Sequence, residues 1–239
     1  MKTTEIWHSL RARVSTYEPA VVLAFLVASL AGFLFLHLTG EMLEGETRGF
    51  DEAILRALRD PLDLGSPIGP TWLTKALTDL TSLGGVTVLT LITSLAVIYL
   101  LLIRKGITAL VVLVSVLSGW LISNTLKLGV ARPRPDLVPH LVEVNDLSFP
   151  SGHAMLSAVT YLTIGLLLSQ MQPSRAARYY FVVVAILLTL MIGLSRVYLG
   201  VHYPTDVLGG WSAGSAWACL CWLVGRRVIP DHERPKLAA

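Results

Sequence analysis

The sequence predicts an all-α membrane protein built as a bundle of six transmembrane helices. Of its 239 residues, 54% are hydrophobic and only 15% are charged, whereas a soluble domain carries about 25% charged residues. The apolar residues also fall into long blocks that meet or approach the roughly 20 residues needed to cross a bilayer. These blocks cover residues 19–39, 83–103, 107–126, 154–170, 179–195 and 205–225.

The interiors of the blocks argue against a soluble helical bundle. Helices of soluble proteins carry a polar face beside their apolar stripe, whereas no lysine or arginine occurs inside these blocks. The first block is too long for the core of a signal peptide, so we expect it to be retained as the first span. No repeat or linker divides the chain, and we expect one membrane domain over residues 1–239.

The distribution of positive charge predicts the orientation. Six spans place both termini on one side, and that side holds 11 of the 19 lysines and arginines. Because cytoplasmic loops are enriched in these residues, we predict cytoplasmic termini, with three connections facing outward from the inner membrane. The net charge of +3 is then a feature of membrane topology, and no nucleic-acid partner is expected.

The first outer connection, residues 40–82, contains the stretch FDEAILRALRDPL. Its apolar residues recur at helical spacing: Phe50, Ile54, Leu55 and Leu58. This spacing predicts a short amphipathic helix lying at the membrane interface. The connection, which also holds Trp72, either covers a lipid entrance or is a plain interfacial anchor, and the sequence favours neither interpretation.

The other two outer connections hold three fragments rich in chemically active residues. The first is KLGVARPRP, in which Lys127 and Arg134 stand seven positions apart. Alone, such cations at the end of a span usually anchor the helix to lipid headgroups. Arg132 and Asp136 lie in the same region, and we interpret them either as headgroup contacts or as a structural pair.

The second fragment is FPSGHAM, residues 149–155, at the start of the fourth block. Ser151 fits an ordinary helix N-cap. A helix N-terminus also offers free backbone N–H groups to an anion, and Gly152 would let that anion approach the backbone closely. His153 would then lie beside the anion in the first turn, although a lone histidine at this position is more often structural.

The third fragment is SRVYLGVHYPTD, residues 195–206, between the last two blocks. Arg196 ends the fifth block, and Pro204 is typical of the first turn of a helix. His202 and Asp206 stand four positions apart, close enough to share a hydrogen bond. A carboxylate on one imidazole nitrogen fixes the tautomer and increases the nucleophilicity of the other nitrogen. The alternative is that Asp206 only complements the helix dipole.

Together, the patterns K-x6-R-P, P-S-G-H and S-R-x5-H-x3-D fix 11 residue identities in a set order between residues 127 and 206. This arrangement resembles the type 2 phosphatidic acid phosphatase superfamily, and every motif position is present. The first third of the chain carries none of these motifs, so the resemblance there is one of architecture only.

The resemblance implies phosphoryl transfer and assigns a role to each motif residue. The phosphate-binding residues would be Lys127, Arg134, Ser151, Gly152 and Arg196. His202 would attack phosphorus and form a phosphohistidine, Asp206 would orient His202, and His153 would protonate the leaving group and then activate water. We expect no cofactor and no metal, because one aspartate and two histidines among three cations form a poor site for a divalent ion.

The expected substrate is a lipid phosphate or diphosphate, of the phosphatidylglycerophosphate, phosphatidate or undecaprenyl diphosphate class. The superfamily ranges from lipid phosphatases to soluble haloperoxidases, so the resemblance indicates the chemistry better than the substrate. Two alternatives stay open: a lipid phosphotransferase that uses the same residues, and a lipid transporter without catalysis. Against a transporter, the spans contain few polar residues near mid-membrane.

Overall fold

The computed structural model describes residues 19–144, 146–230 and 232–233. These residues form a helical bundle with one small hairpin of two antiparallel strands. The elements are α1 (Pro19–Glu44), α2 (Arg48–Ala57), β1 (Arg59–Asp60), β2 (Asp63–Pro67), α3 (Thr71–Ser82), α4 (Val86–Leu102), α5 (Gly106–Val130), α6 (Gly152–Gln170), α7 (Arg175–Tyr198) and α8 (Pro204–Val228).

The predicted membrane bundle is confirmed, with five or six membrane-spanning helices among the described residues. Helices α1, α5, α6, α7 and α8 are each long and apolar enough to cross a membrane. The block 83–103 forms the 17-residue helix α4, which is at the short end of the lengths that cross a bilayer. Helices α3 and α4 together are long and apolar enough for one span, as a pair bent by 49°. The bend lies at Gly84 and Gly85, where the chain leaves one helix and caps the next.

Helix α6 is the most enclosed of the candidate spans. Half of the residues in its most apolar stretch are buried, whereas only 11% are buried in that of α1. Glycines on α8 let α6 come close. A Cβ atom at Gly210 would lie 2.7 Å from the carbonyl oxygen of Ser151, and one at Gly214 would lie 2.5 Å from that of Met155. Small residues four apart allow such close helix contacts in membranes. As a result, the first turns of α6 and α8 meet, and the Ser151 N–H donates to the Asp206 carbonyl at 2.9 Å.

The predicted amphipathic helix is present as α2. Leu55 is fully buried in an apolar cluster with Ala154, Val197 and Val207, whereas Phe50 on the same helix is 53% exposed. Helix α2 therefore packs against the starts of α6 and α8 and the end of α7. The hairpin that follows it, which pairs Arg59 with Pro67, was not predicted from the sequence.

The two described ends of the chain lie at the same end of the bundle. Ala20 at the start of α1 and Gly225 near the end of α8 line one cavity of about 380 Å³. The end of α5, the start of α6, the end of α7 and the start of α8 lie together at the opposite end, which we call the site end.

Candidate active site

The three sequence fragments meet at the site end, around a cavity of about 610 Å³. Six of the eight predicted site residues line this cavity: Lys127, Arg134, Gly152, His153, Arg196 and His202. The other two, Ser151 and Asp206, are fully buried next to Gly152 and His202. The structure therefore brings together residues that are up to 79 positions apart in the sequence.

The ring of His202 lies between a carboxylate and a cation. Its Nδ1 is 3.4 Å from Oδ2 of Asp206, and its Nε2 is 3.2 Å from Nη1 of Arg134. A carboxylate can only accept a hydrogen bond and a guanidinium can only donate one. Both neighbours therefore favour the tautomer with the proton on Nδ1, which leaves the lone pair of Nε2 directed toward the cavity cations.

His202 is 1% exposed, and this burial lowers its pKa to about 4. Asp206 acts in the opposite direction but does not outweigh the burial, and the charges of Arg134 and Arg196 lower the pKa further. A histidine with a pKa near 4 is neutral at pH 7, which is the state that a nucleophile requires.

Asp206 is held by donors from three parts of the chain. Arg132 donates to its Oδ1 at 2.6 Å, the backbone N–H of Tyr203 donates to its Oδ2 at 2.9 Å, and the Ser148 hydroxyl donates to the same Oδ2. Ser148 is fully buried and also lies 3.4 Å from Nδ1 of His202. The carboxylate thus has a fixed orientation toward the imidazole.

Arg132 forms a structural ion pair, although not with Asp136. Its guanidinium bridges Asp206 and Asp51, the latter at 2.8 Å, and stacks over the ring of Tyr203 at 4.2 Å. Burial lowers the pKa of Arg132, but the two carboxylates outweigh that effect and raise it overall. The headgroup interpretation of Arg132 does not fit these contacts.

Lys127 and Arg134 both contact the carboxylate of Asp146, a residue that the sequence did not single out. Lys127 also donates to the Leu147 carbonyl at 2.7 Å, and Arg134 donates to the Val201 carbonyl at 2.6 Å. These backbone contacts fix both cations at the cavity wall. The Asp146 side chain itself is 60% exposed, so it covers the two cations from the open side.

The site therefore holds more carboxylates than the one aspartate expected from the motifs. Burial raises the pKa of Asp146, but Lys127 and Arg134 outweigh it and lower that pKa to about 2. Within the described ranges, no group of three histidine, cysteine, aspartate or glutamate side chains could hold a metal ion.

Ser151 occupies the N-cap position of α6, but its side chain makes no capping hydrogen bond. The hydroxyl is buried and has no partner, which is unusual because buried polar atoms are normally paired. The first N–H groups of a helix have no acceptor within that helix. Lys127 packs against Gly152: a Cβ atom added at Gly152 would lie 3.5 Å from Cε of Lys127. The start of α6 thus offers neutral donors beside a cation.

The break between α3 and α4 contacts His153. A Cβ atom at Gly84 would lie 3.2 Å from Cδ2 of His153 and 2.4 Å from Cγ2 of Ile192. Only glycine allows the chain to pass this close. On the same side, Arg196 donates to the Thr81 hydroxyl at 3.0 Å. The connection 40–82 thus reaches the site through the end of α3, whereas Trp72 in the same connection is 66% exposed.

Comparison with known proteins places this arrangement in a family. The family model of the PAP2 superfamily matches residues 108–230, just over half of the chain. Phosphatidylglycerophosphatase B of Bacillus subtilis (strain 168) is 34% identical over 185 residues, which cover 75% of this chain and 85% of that protein. Lipid A 1-phosphatase of Rhizobium etli is 29% identical over 146 residues, which cover 50% of this chain and 58% of that protein.

A solved structure extends the similarity to the fold. The crystal structure of the first transmembrane PAP2 type phosphatidylglycerolphosphate phosphatase from Bacillus subtilis superposes with a TM-score of 0.76 at 30% identity. The match covers 84% of this chain and 96% of that one. The chain therefore belongs to the PAP2 superfamily and is a membrane-spanning phosphatase, a hydrolase of phosphoric esters.

Proposed function

We propose that this protein is a lipid phosphatase that transfers a phosphoryl group first to His202 and then to water. The observation that carries the proposal is the orientation of the His202 ring. Its Nδ1 faces Asp206 and its Nε2 faces Arg134 at the cavity wall. A phosphate that draws the Arg134 guanidinium onto its own oxygens would present its phosphorus to the lone pair of Nε2.

In the first step, Nε2 of His202 bonds to phosphorus while the bond from phosphorus to the leaving oxygen breaks. Lys127, Arg134 and Arg196 bind the charged phosphate oxygens, and the start of α6 adds the unpartnered Ser151 hydroxyl and backbone N–H groups. Fixed donors and cations of this kind stabilise the transition state of phosphoryl transfer. They supply the positive charge that metal ions supply in other phosphatases, and the proposed steps involve no metal or cofactor.

His153 completes the proton balance. Protonated, it donates its proton to the leaving oxygen, and as a neutral base it then takes a proton from the water that attacks the phosphohistidine. The products are the dephosphorylated alcohol or phosphate, inorganic phosphate and free His202. Asp206 holds the Nδ1 proton throughout and stabilises the positive charge of the phosphorylated imidazole.

A lipid substrate fits both the relatives and the position of the cavity. The named relatives act on phosphatidylglycerophosphate and lipid A. Part of the cavity wall comes from Val86 and Trp120, whose side chains are 56% and 47% exposed on apolar helices. An acyl or prenyl chain would lie along this apolar side while its phosphate lies between the histidines. We propose phosphatidylglycerophosphate, phosphatidate or a polyprenyl diphosphate as the substrate.

Chain length tests the lipid proposal. Burial of each CH₂ group contributes about 0.8 kcal/mol, and binding energy from a remote chain helps to position the reacting phosphate. We therefore expect a long-chain phosphatidate to be hydrolysed with at least ~10²-fold higher kcat/KM than glycerol phosphate. Both substrates should be compared in one detergent at fixed surface concentration. Equal values would indicate a water-soluble substrate.

We also propose that the site faces the outside of the inner membrane, on the basis of the excess of lysine and arginine on the side of the termini. Single cysteines introduced at His140 and Ala176, both exposed, test this orientation after replacement of Cys219 and Cys221 by serine. An impermeant thiol reagent added to intact cells is expected to label position 140 and spare position 176. Labelling of position 176 instead would reverse the orientation.

Asp146 is expected to weaken anion binding, because its carboxylate occupies the two cations proposed to hold phosphate. Ion pairs with exposed partners contribute at most about 1 kcal/mol, so Asp146→Asn should lower the inhibition constant of inorganic phosphate about two- to fivefold. Asp136→Asn is the matched control, because it removes an equal charge from an exposed position in the same connection. An unchanged or higher constant for Asp146→Asn would contradict this competition.

A further inference from the structure

Asp51 is a fully buried carboxylate on α2, outside the three motifs. It accepts hydrogen bonds from the Thr205 backbone N–H at 3.0 Å and from the Thr205 hydroxyl at 2.6 Å. Its Oδ2 also accepts from Nη2 of Arg132 at 2.8 Å. Thr205 directly precedes Asp206, so α2 is hydrogen-bonded to the backbone beside the carboxylate that orients His202.

Arg132 extends this contact to Asp206 itself. Its Nη1 donates to Oδ1 of Asp206 at 2.6 Å and to the Thr205 hydroxyl at 2.9 Å. The second oxygen, Oδ2, faces His202, Ser148 and the Tyr203 N–H. Each oxygen of Asp206 thus has a separate set of partners, and Arg132 holds the oxygen that does not face the imidazole.

The charges of this group have a consequence for His202. Asp51, Arg132 and Asp206 together carry a formal charge of −1. Without Asp51, Arg132 would neutralise Asp206 alone, and the trio would carry no net charge beside the imidazole. Because charges interact more strongly in a buried site than in water, this difference acts on the positive charge that develops on His202 as it attacks phosphorus.

We propose that Asp51 is a positioning residue for the nucleophile, acting through Arg132 and Asp206. It shares the positive charge of Arg132, so that Asp206 keeps a net negative charge for His202, and it fixes the start of α8 through Thr205. This inference rests on the proposed phosphohistidine mechanism. It also gives α2 a role in catalysis, since Asp51 lies on α2.

The test compares Asp51→Asn, Arg132→Gln and the double variant, with long-chain phosphatidate as substrate. The single changes alter the formal charge of the trio from −1 to 0 and to −2, and the double variant restores −1. Glu52→Gln is the matched control on the same helix, because Glu52 pairs with Arg48 at the surface, 2.8 Å away. Size-exclusion profiles and melting temperatures in detergent establish that each variant is folded.

We expect Asp51→Asn to lower kcat about 10- to 100-fold, with KM changed less than about threefold, because the loss falls on the transition state. Arg132→Gln should lower kcat by at least as much, because Asp206 loses the donor that fixes its Oδ1 and is left beside the buried carboxylate of Asp51 without a cation between them. The double variant should exceed the kcat of either single variant by about threefold or more, because neighbouring charges couple non-additively. Glu52→Gln should match the wild type.

A merely structural role for Asp51 predicts that the double variant is as impaired as the worse single variant, and that result would overturn the proposal. Wild-type kcat in folded Asp51→Asn would also overturn it. If Asp51→Asn does not fold, the comparison of Arg132→Gln with the double variant decides in the same way. Absence of wild-type turnover would instead contradict the proposed function, on which this role depends.

Discussion

Replacement of His202 by alanine is expected to abolish both turnover and the covalent phosphoenzyme. His202 supplies the only protein atom proposed to bond to phosphorus, and the loss of a catalytic nucleophile costs roughly 10⁴-fold or more in kcat. Turnover is measured as released inorganic phosphate, and the phosphoenzyme is measured by rapid quenching with labelled substrate.

His140→Ala is the matched control for this experiment. His140 lies in the connection between α5 and α6, where its Nε2 is 2.7 Å from the Pro135 carbonyl, and the proposed mechanism gives it no role. We expect its turnover to equal that of the wild type. Near-normal turnover by a folded His202→Ala variant would show that the nucleophile has been assigned wrongly.

Replacement of His153 by alanine is expected to impair hydrolysis in a way that depends on the leaving group. A general acid contributes about 10²- to 10⁴-fold to the rate when the leaving oxygen needs a proton. A nitrophenyl phosphate needs this proton far less than a lipid phosphate does. His153→Ala should therefore lose most of its activity toward the lipid but still form a phosphoenzyme from the nitrophenyl ester.

Hydrolysis of the phosphohistidine also uses His153, as the base that activates water. The His153→Ala phosphoenzyme is therefore expected to accumulate, and its decay should be slower than in the wild type. Equal losses for both substrates, without accumulation, would argue that His153 binds phosphate and transfers no proton. The ratio of the two losses is the measured quantity, so a moderate loss of folded protein does not affect the conclusion.

The membrane bundle could be predicted from composition, but average hydropathy alone does not reveal the bent pair α3–α4. Hydropathy averages over a block, and Gly84 and Gly85 hardly change the average of residues 83–103. The stretch Thr71–Ser82 is too short and too polar to count as a span by itself, so the sequence predicts a connection there. A pair of glycines at the edge of an apolar block is a turn signal, and it could have indicated the break.

The motif residues could be singled out from the sequence because they stand at the set spacings of three short patterns. The residues that contact and support them could not be singled out in this way. Asp51 and Arg132 lie 81 positions apart, and Thr81 and Arg196 lie 115 apart. No helical or strand period relates residues at such separations, because their contact depends on how whole helices pack. Ser148 and Asp146 lie close to the P-S-G-H motif, but nothing in their spacing distinguishes them from ordinary loop residues.

The stereochemical course at phosphorus tests the central claim, that the phosphoryl group passes through His202, most directly. The substrate is a phosphatidate analogue whose phosphorus is chiral because it carries sulfur and two different oxygen isotopes. Hydrolysis by the wild-type enzyme in water of the third oxygen isotope releases chiral inorganic thiophosphate, whose configuration is compared with that of the substrate. Each in-line displacement inverts the configuration, so two displacements through a phosphohistidine predict net retention. Net inversion would show that water or another acceptor attacks the substrate directly, and it would contradict the proposed mechanism.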